Sequence, residues 1–436
     1  MPDRRVIVVG TTGDYIELIR KRYPARSLFI TDPQERARWS GDFPDPSSEI
    51  LCDLVDSKQV WAALRKHMST YDIQPTGVAC YDCETLALAA YLAKRLSLPF
   101  PSRHSVINCR SKFTSKRLWR EAGIPCPEAA LVKSLADAVQ FIERLNSPVV
   151  LKPLTGSGSE LVMLCETRAE CVRAYQTLKT RLADHPNRRM YAAVDDSSEG
   201  EDPRKVFAVE EKVSGREFSC DFLLDDDRLE IIRLTRKLHA PDQPLGTILA
   251  YVLPGVLPGE LDIARFQRQL KDAANVLGLK RTIAMVDFIV RKNEAVLLEL
   301  TPRPGGDCLP ELIRQSCGLD IIGANLDFAE GKTIPIPAPE KWQPLVGLRL
   351  FASRSGTILA IDADDVRHDG RVLSCDLKHG PGHRIVMPPD DYESRLLGSV
   401  IFKPTHPQNI ETESLEIAGK LRLELETPSW AITRLS

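Results

Sequence analysis

Residues 285–313 read MVDFIVRKNEAVLLELTPRPGGDCLPELI. Two apolar runs flank the turn RKNEA, so the stretch predicts a strand hairpin, then a Pro/Gly loop, then a helix beginning near Leu309. Asp287 and Glu299 lie 12 positions apart, and a hairpin closed at that turn sets such positions side by side on one face. Two carboxylates so placed repel unless a cation sits between them. Mg²⁺ suits that place, because it takes hard oxygen ligands: one or two carboxylates plus phosphate oxygens. The bland reading is a pair of solvated strand-end acids. Against it, Glu299 stands among Leu297, Leu298 and Leu300, and a buried carboxylate needs a partner. Arg303 follows in a Pro-Arg-Pro frame whose restricted φ angles stiffen the loop. Gly305 and Gly306 let the backbone pass close to a ligand before a helix whose N-terminus can face an anion.

Working upstream, VVLKPLTGSGSELVML (149–164) reads strand, Gly/Ser loop, strand. Lys152 lies at a strand exit, where its ammonium is a compact charge for a phosphate. Gly156 and Gly158 are free to take positive φ, and Thr155, Ser157 and Ser159 add hydroxyls, so the loop can turn several N–H groups toward one anion. A flexible hairpin is the plain alternative. In FAVEEKVSGREFSCDF (207–222) a strand delivers Glu210 and Glu211, then Val213, a Gly turn and Glu217. A flat heterocycle held at a strand edge needs a backbone acceptor, a backbone donor and a carboxylate for ribose hydroxyls, which Glu210, Val213 and Glu217 fit. An edge hairpin with solvated acids fits too. RLTRKLHA (233–240) carries Arg233, Arg236, Lys237 and His239, and alternation sends Arg236 and His239 to opposite faces.

The first hundred residues alternate strand and helix: RRVIVVGTTGDYIELIRKRY, SLFIT, KQVWAALRKHM, PTGVACYD, ETLALAAYLAKRLSL. That alternation predicts a parallel α/β sheet. The VGTTGD turn lacks the third glycine of a dinucleotide fingerprint. Residues 184–205 are polar and acidic and read as a mobile insertion. A Pro-rich link, KTIPIPAPEKWQP, precedes a smaller β-rich unit that ends in a helix near 411–424.

Composition narrows the classes. Lys plus Arg is 58 and Asp plus Glu is 60, which gives no general pull toward nucleic acid or an anionic membrane. No apolar run approaches the roughly 20 residues that span a bilayer. Eleven cysteines without repeated spacing read as reduced thiols of a cytoplasmic protein, and the CxxC of Cys80 and Cys83 reads as plain strand-end thiols.

The ordered series SKFTSKRLWREAGIPCP, VVLKPLTGSGSE, VEEKVSGREFSCD, MVDF and LELTPRPGG resembles the ATP-grasp superfamily over about 330 residues. The chain looks like the carboxylate–amine ligases within it, above all the L-amino-acid ligases, with resemblance to biotin carboxylase and D-alanine–D-alanine ligase. The resemblance implies three parts: an N-terminal α/β pre-ATP-grasp domain (1–105), an ATP-grasp domain (106–332, lid about 145–215) and a C-terminal α+β unit (333–436). It implies ATP with one or two Mg²⁺ ions, Mn²⁺ being a substitute. Lys112 and Lys152 would bind phosphates, with Gly156, Ser157, Gly158 and Ser159 as lid. Glu210 would accept from adenine through its carbonyl, Val213 would donate to the ring through its N–H and Glu217 would hold ribose, with Glu211 a further cofactor-binding residue. Asp287, Glu299 and Thr301 would bind metal. Arg303 would face the reacting carboxylate, with Lys237 and Arg349 as further catalytic groups and Asp307 recognising an amino group.

The signature's Asn is Thr301 here, a weaker metal ligand, which bears on the second ion. The expected reaction joins a small-molecule carboxylate to an amine through an acyl phosphate, in a cytoplasmic homodimer. The rivals are a biotin-carboxylase-like or purine-pathway enzyme and a non-catalytic ATP-binding protein.

Overall fold

The computed structural model describes residues 3–39, 41–191, 201–241, 243–259 and 261–426. The N-terminal sheet is parallel throughout, in the order Glu49–Leu51, Ser27–Thr31, Asp3–Val9, Ile73–Ala79. The run VIVV is buried on both faces because helices cover both sides of such a sheet. The helix Ser57–Tyr71 is closed by Asp56, whose carboxylate accepts from the N–H groups of Lys58 and Gln59.

A second sheet of four antiparallel strands has the order Ala129–Val132, Phe207–Glu211, Val149–Pro153, Met163–Cys165. The helices Leu135–Leu145 and Arg168–Ala183 bury their apolar stripes on it, and each starts with a capping box, Ser134 with Asp137 and Thr167 with Glu170.

The third sheet has eight antiparallel strands: Glu294–Thr301, Arg281–Arg291, Arg216–Asp225, Arg228–His239, Ile248–Leu253, Leu345–Phe351, Leu396–Phe402 and Val372–Leu377. It crosses the Pro-rich link, since Ala250 pairs with Leu348. The last hundred residues therefore extend the sheet that carries Asp287 and Glu299, and only a small three-stranded sheet (Arg384–Ile385, Gly356–Asp362, Arg422–Glu426) stands apart from it.

Two local expectations change. The terminal helix is Ile410–Ala418, shorter than expected, and Arg422–Glu426 is a strand paired to Gly356–Asp362. RLELE alternates with period two, a strand signal that the preceding helical pattern masked. Of the polar segment 184–205, residues 192–200 lie outside the described residues. Its described flanks are built in, not mobile: Met190 and Tyr191 are buried, Tyr191 donates to Glu160 at 2.7 Å, and the Arg204 guanidinium donates to the carbonyls of Leu182, Ala183 and His185.

The helices Leu309–Cys317 and Ile321–Ala329 pack against the N-terminal sheet through Leu309, Leu312, Ile321 and Ile322 against Val6, Val8 and Phe29. Arg22 pairs with Glu311 and Asp320 across this contact. The loop bearing Arg303 is thereby held between the N-terminal sheet and the eight-stranded sheet.

Candidate active site

Asp287 and Glu299 are cross-strand partners in the hairpin, with a bulge directly after Asp287. Each is held by a lysine from another element. Lys237 reaches Asp287 at 2.7 Å and Lys112 reaches Glu299 at 2.9 Å. Burial pushes the Asp287 carboxyl up to about 6, with Glu299 and Glu217 adding to the rise against the pull of Lys237. Burial would raise Glu299 as well, but the Lys112 ammonium holds it down to about 2. Two carboxylates face to face divide in this way, one keeping its charge and the other giving it up more readily. Asp287 Oδ1 is buried and has no hydrogen-bond partner.

These residues fit Mg²⁺. Two hard oxygen donors oppose each other, one with an unmet lone pair, and Thr301 lines the cleft at the end of the Glu299 strand. Among the described residues no group of three or more His, Cys, Asp or Glu side chains could hold a metal, so phosphate oxygens and water would complete the shell.

Lys116 and Lys152 form a second cluster around Glu210. Glu210 is buried between Lys152 at 2.5 Å and Lys116 at 3.0 Å. The Lys116 contact has the distance of an ion pair without hydrogen-bond alignment, so the Lys116 ammonium and Glu210 Oε1 count as unmet buried atoms. Two lysines share one carboxylate, which leaves a net positive charge. Burial, together with Lys116 and Lys112, lowers Lys152 to about 8 although Glu210 opposes the shift. Lys112 also donates to the Gly156 carbonyl at 3.1 Å.

The loop after Lys152 is folded down over the cleft and is no free hairpin. Gly158 has φ +64, and Ser159 and Leu161 also take positive φ. Ser159 donates to the Gly246 carbonyl at 3.1 Å, and Leu161 is buried. Opposite, Arg189 draws three acids of the N-terminal domain together: Glu35 and Glu84 at 3.1 Å and Asp32 at 3.8 Å.

Arg303 projects from its Pro-framed loop against the N-terminal domain. Its Nε and Nη2 lie 3.2 and 3.0 Å from Cys83 Sγ, and Nη1 donates to the Pro304 carbonyl at 2.7 Å. Cys83 is thus not a plain strand-end thiol, whereas Cys80 is, buried and bonded to Thr85. The loop is pinned from below, where the Gly305 N–H donates to both oxygens of Asp221, itself bidentate to Arg233. Arg233 therefore supports the loop and does not face a ligand, and Arg236 is absent from the cleft wall. Lys237 and His239 share a face, both bonded to Glu217 at 3.0 and 2.9 Å. Arg349 meets Asp307 at 2.6 Å.

One cleft of about 1300 Å³ gathers Lys112, Gly156, Ser157, Gly158, Ser159, Lys237, Asp287, Glu299, Thr301, Arg303 and Arg349. That exceeds the volume of a usual single-ligand pocket, roughly 300–1,000 Å³. Lys152, Glu210, Glu211, Val213 and Glu217 do not line it. Val213 packs on Ile289, Val296 and Leu298 where the lid sheet joins the large sheet. The Glu210 carbonyl belongs to a sheet position in register with Val150 and Ala129. The Glu211 side chain is taken by Arg291 at 2.6 Å and serves the joint between the two sheets, not a nucleotide.

Sequence reasoning missed Lys116, Cys83 and Arg189. Lys116 carried one usable signal, a lysine on the inner face of an amphipathic helix four residues after Lys112.

Residues 145–311 match the model of the ATP-grasp domain. An uncharacterized protein, y4rH, of Sinorhizobium fredii is 24% identical over 64% of this chain and 54% of its own length. A D-alanine–D-alanine ligase of Acidovorax ebreus is 24% identical over 51% of this chain and 65% of its own length. The chain thus spans less than two thirds of the length of these relatives. The crystal structure of an L-amino acid ligase from Bacillus licheniformis superposes with a TM-score of 0.76 at 18% identity, over 98% of this chain and 100% of that one, which shows a shared fold. The chain thus carries an ATP-grasp domain at residues 145–311, within a whole-chain fold shared with that ligase.

Proposed function

We propose that the protein is an ADP-forming carboxylate–amine ligase that joins two small molecules, amino acids or their derivatives, through an acyl phosphate. The observation that carries this reading is the Asp287–Glu299 pair, lysine-held on both sides, with Arg303 four residues beyond Glu299 on a pinned loop. A ligase of this kind needs phosphates neutralised at one point and a carboxylate held beside it, and those groups supply both. The names of the D-alanine–D-alanine ligase relatives and of the L-amino acid ligase structure agree with it.

Lys112 faces the triphosphate from the cleft wall, Lys116 and Lys152 add positive charge from behind it around Glu210, and the Gly156–Ser159 loop covers it. Mg²⁺ between Asp287 and Glu299 would neutralise phosphate charge. Arg303 holds the substrate carboxylate in line with the γ-phosphorus. The carboxylate oxygen forms the new P–O bond as the bond to ADP breaks. The amine then forms the C–N bond, phosphate leaves with the electron pair of the C–O bond, and the ammonium proton passes to solvent or a nearby carboxylate. The chain's contribution is positioning and prearranged charge. Lys237 exchanges its Asp287 contact for a phosphate oxygen in this account. We place the protein in the cytoplasm as a homodimer, in keeping with eleven free thiols and the lack, among the described residues, of any helix long and apolar enough to cross a membrane.

The test is phosphate release from MgATP across amino acids singly and in pairs, with a bicarbonate well and product masses read. Release that needs two partners, with a product equal to their sum less water, is expected. Bicarbonate-dependent release would replace this reading with a carboxylase. Nucleotide binding with no release in any well would leave two readings: a substrate outside the panel, or a Thr301-bearing site that has lost its chemistry.

A further inference from the structure

The far wall of the cleft carries positive charge that the phosphate chemistry does not use. Arg395 is 3% exposed, and among the described residues no carboxylate pairs with it. Its guanidinium is held by neutral oxygens only, those of Gln243 and, at 2.9 Å, Thr247. Its Nε is buried without a partner. Arg395 and Arg349 both stack on Phe351, 5.0 and 4.8 Å from the ring centroid, and each feels the other's charge. Among the described residues the one carboxylate paired with either arginine is Asp307, whose Oδ2 also accepts from the Tyr251 hydroxyl at 3.5 Å. It touches Arg349 at 2.6 Å, yet Arg349 Nε is buried without an aligned hydrogen bond, so the contact is close but misdirected. Two guanidiniums and one carboxylate leave one positive charge unmatched beside the cleft. Asp307 itself is a non-glycine residue at φ +61, a conformation that costs energy and is kept where the surroundings over-determine it. It follows Gly306 on the loop that carries Arg303.

We infer that Arg349, backed by Arg395, is the subsite for a carboxylate on the amine substrate, and that Asp307 turns from Arg349 to that substrate's ammonium. The inference rests on the ligase reading above and narrows it: the amine is an α-amino acid or a peptide with a free carboxylate, held by its two charges. Its nitrogen is then presented from the Asp307 side toward the acyl group that Arg303 holds. This assigns Arg349 to the amine substrate in place of the catalytic role that the resemblance led one to expect.

The experiment uses the full chain and a matrix of the twenty amino acids and their C-terminal amides as amine substrate, with MgATP. Free acids are expected to serve and amides to be poor. Arg349→Met is expected to raise KM for the acid about tenfold to a hundredfold, the worth of one charged hydrogen-bonded contact. KM for ATP and for the acyl partner should stay within about twofold, and the gap between acid and amide should close. Arg349→Lys should recover part of the preference, and Arg395→Met should shift it in the same direction by less. Amides that serve the wild type as well as acids, or a rise confined to KM of the acyl partner, would overturn the inference. If the wild type forms no amide at all, the ligase reading fails. Calorimetric binding of the same acids and amides then decides the subsite alone: acid-selective binding lost in Arg349→Met supports it, and equal binding of acid and amide refutes it.

Discussion

The pinned loop gives the sharpest quantitative prediction. Asp221 and Arg233 have no exposed side-chain surface and are joined through two hydrogen bonds of 2.9 and 3.0 Å. Asp221 also accepts from the Gly305 N–H at 3.2 Å. Asp221→Asn or Arg233→Met leaves one buried charge uncompensated, at a cost of about 3–5 kcal/mol. For a unit of 150–250 residues, roughly 2–4 °C are lost per kcal/mol, so each variant should melt roughly 6–20 °C lower. The double variant Asp221→Leu/Arg233→Met removes both charges and keeps apolar volume. Its residual cost is the Gly305 N–H left unmet, about 1–3 kcal/mol, together with the loss of the Arg233 bonds to the buried Ser219 and Thr235 hydroxyls, which Arg233→Met alone loses too. The two singles should therefore fail to add, with a coupling of at least about 3 kcal/mol. Thermal unfolding by calorimetry of all four proteins, closed as a cycle, measures it. Singles that each cost under about 1 kcal/mol and add in the double would refute the claim that this pair holds the Arg303 loop.

Other consequences are open to direct measurement. Lys152 titrates near 8 instead of its ordinary 10.5, so between those values the unfolded chain binds the proton that the folded one lacks, and apo stability rises with pH across that window. Phosphate binding needs the ammonium, so affinity for a non-hydrolysable ATP analogue, measured calorimetrically, should fall as pH rises past 8, and Lys152→Arg should flatten the profile. A flat wild-type profile would remove Lys152 from the phosphate site. Arg303→Ala should bind nucleotide within about twofold of wild type and lose at least about a hundredfold in turnover, while Cys83→Ser, which keeps a polar atom against the guanidinium, should lose less than tenfold. A loss confined to nucleotide affinity would assign Arg303 to ATP. Arg189→Met frees Glu35, Glu84 and Asp32 from their shared cation, so limited proteolysis near residues 184–205 should quicken and KM for ATP should rise several-fold. Unchanged cleavage would mean the lid is docked by other contacts.

What was legible in the chain follows from how local each signal is. Asp287 and Glu299 could be read as neighbours from their spacing because one short turn sets the register to within one residue; that register alone would put Asp287 opposite Leu298, and the bulge after Asp287 brings Glu299 into the place. The parallel N-terminal sheet and the lid strands announced themselves by apolar runs between glycine turns. Residues whose role depends on a distant partner did not. Lys116 looks like a solvated helix lysine until a strand almost a hundred residues later brings Glu210 beside it. Cys83 becomes a cleft residue only because Arg303 arrives from the other end of the chain. Glu211 looks identical to Glu210 in sequence, but alternation along the strand turns it to Arg291 and away from the lysines. The β-rich C-terminal unit was visible as such, whereas its continuity with the large sheet depends on the Ala250–Leu348 pairing, which no local pattern encodes.

The central claim is phosphoryl transfer to a substrate carboxylate, and the fate of one oxygen tests it most directly. With the pair of substrates found in the release matrix, the carboxylate is labelled with ¹⁸O and the turnover products are weighed. The account predicts ADP, one ¹⁸O in the released phosphate and its loss from the amide product. AMP and pyrophosphate, or phosphate without label, would contradict it.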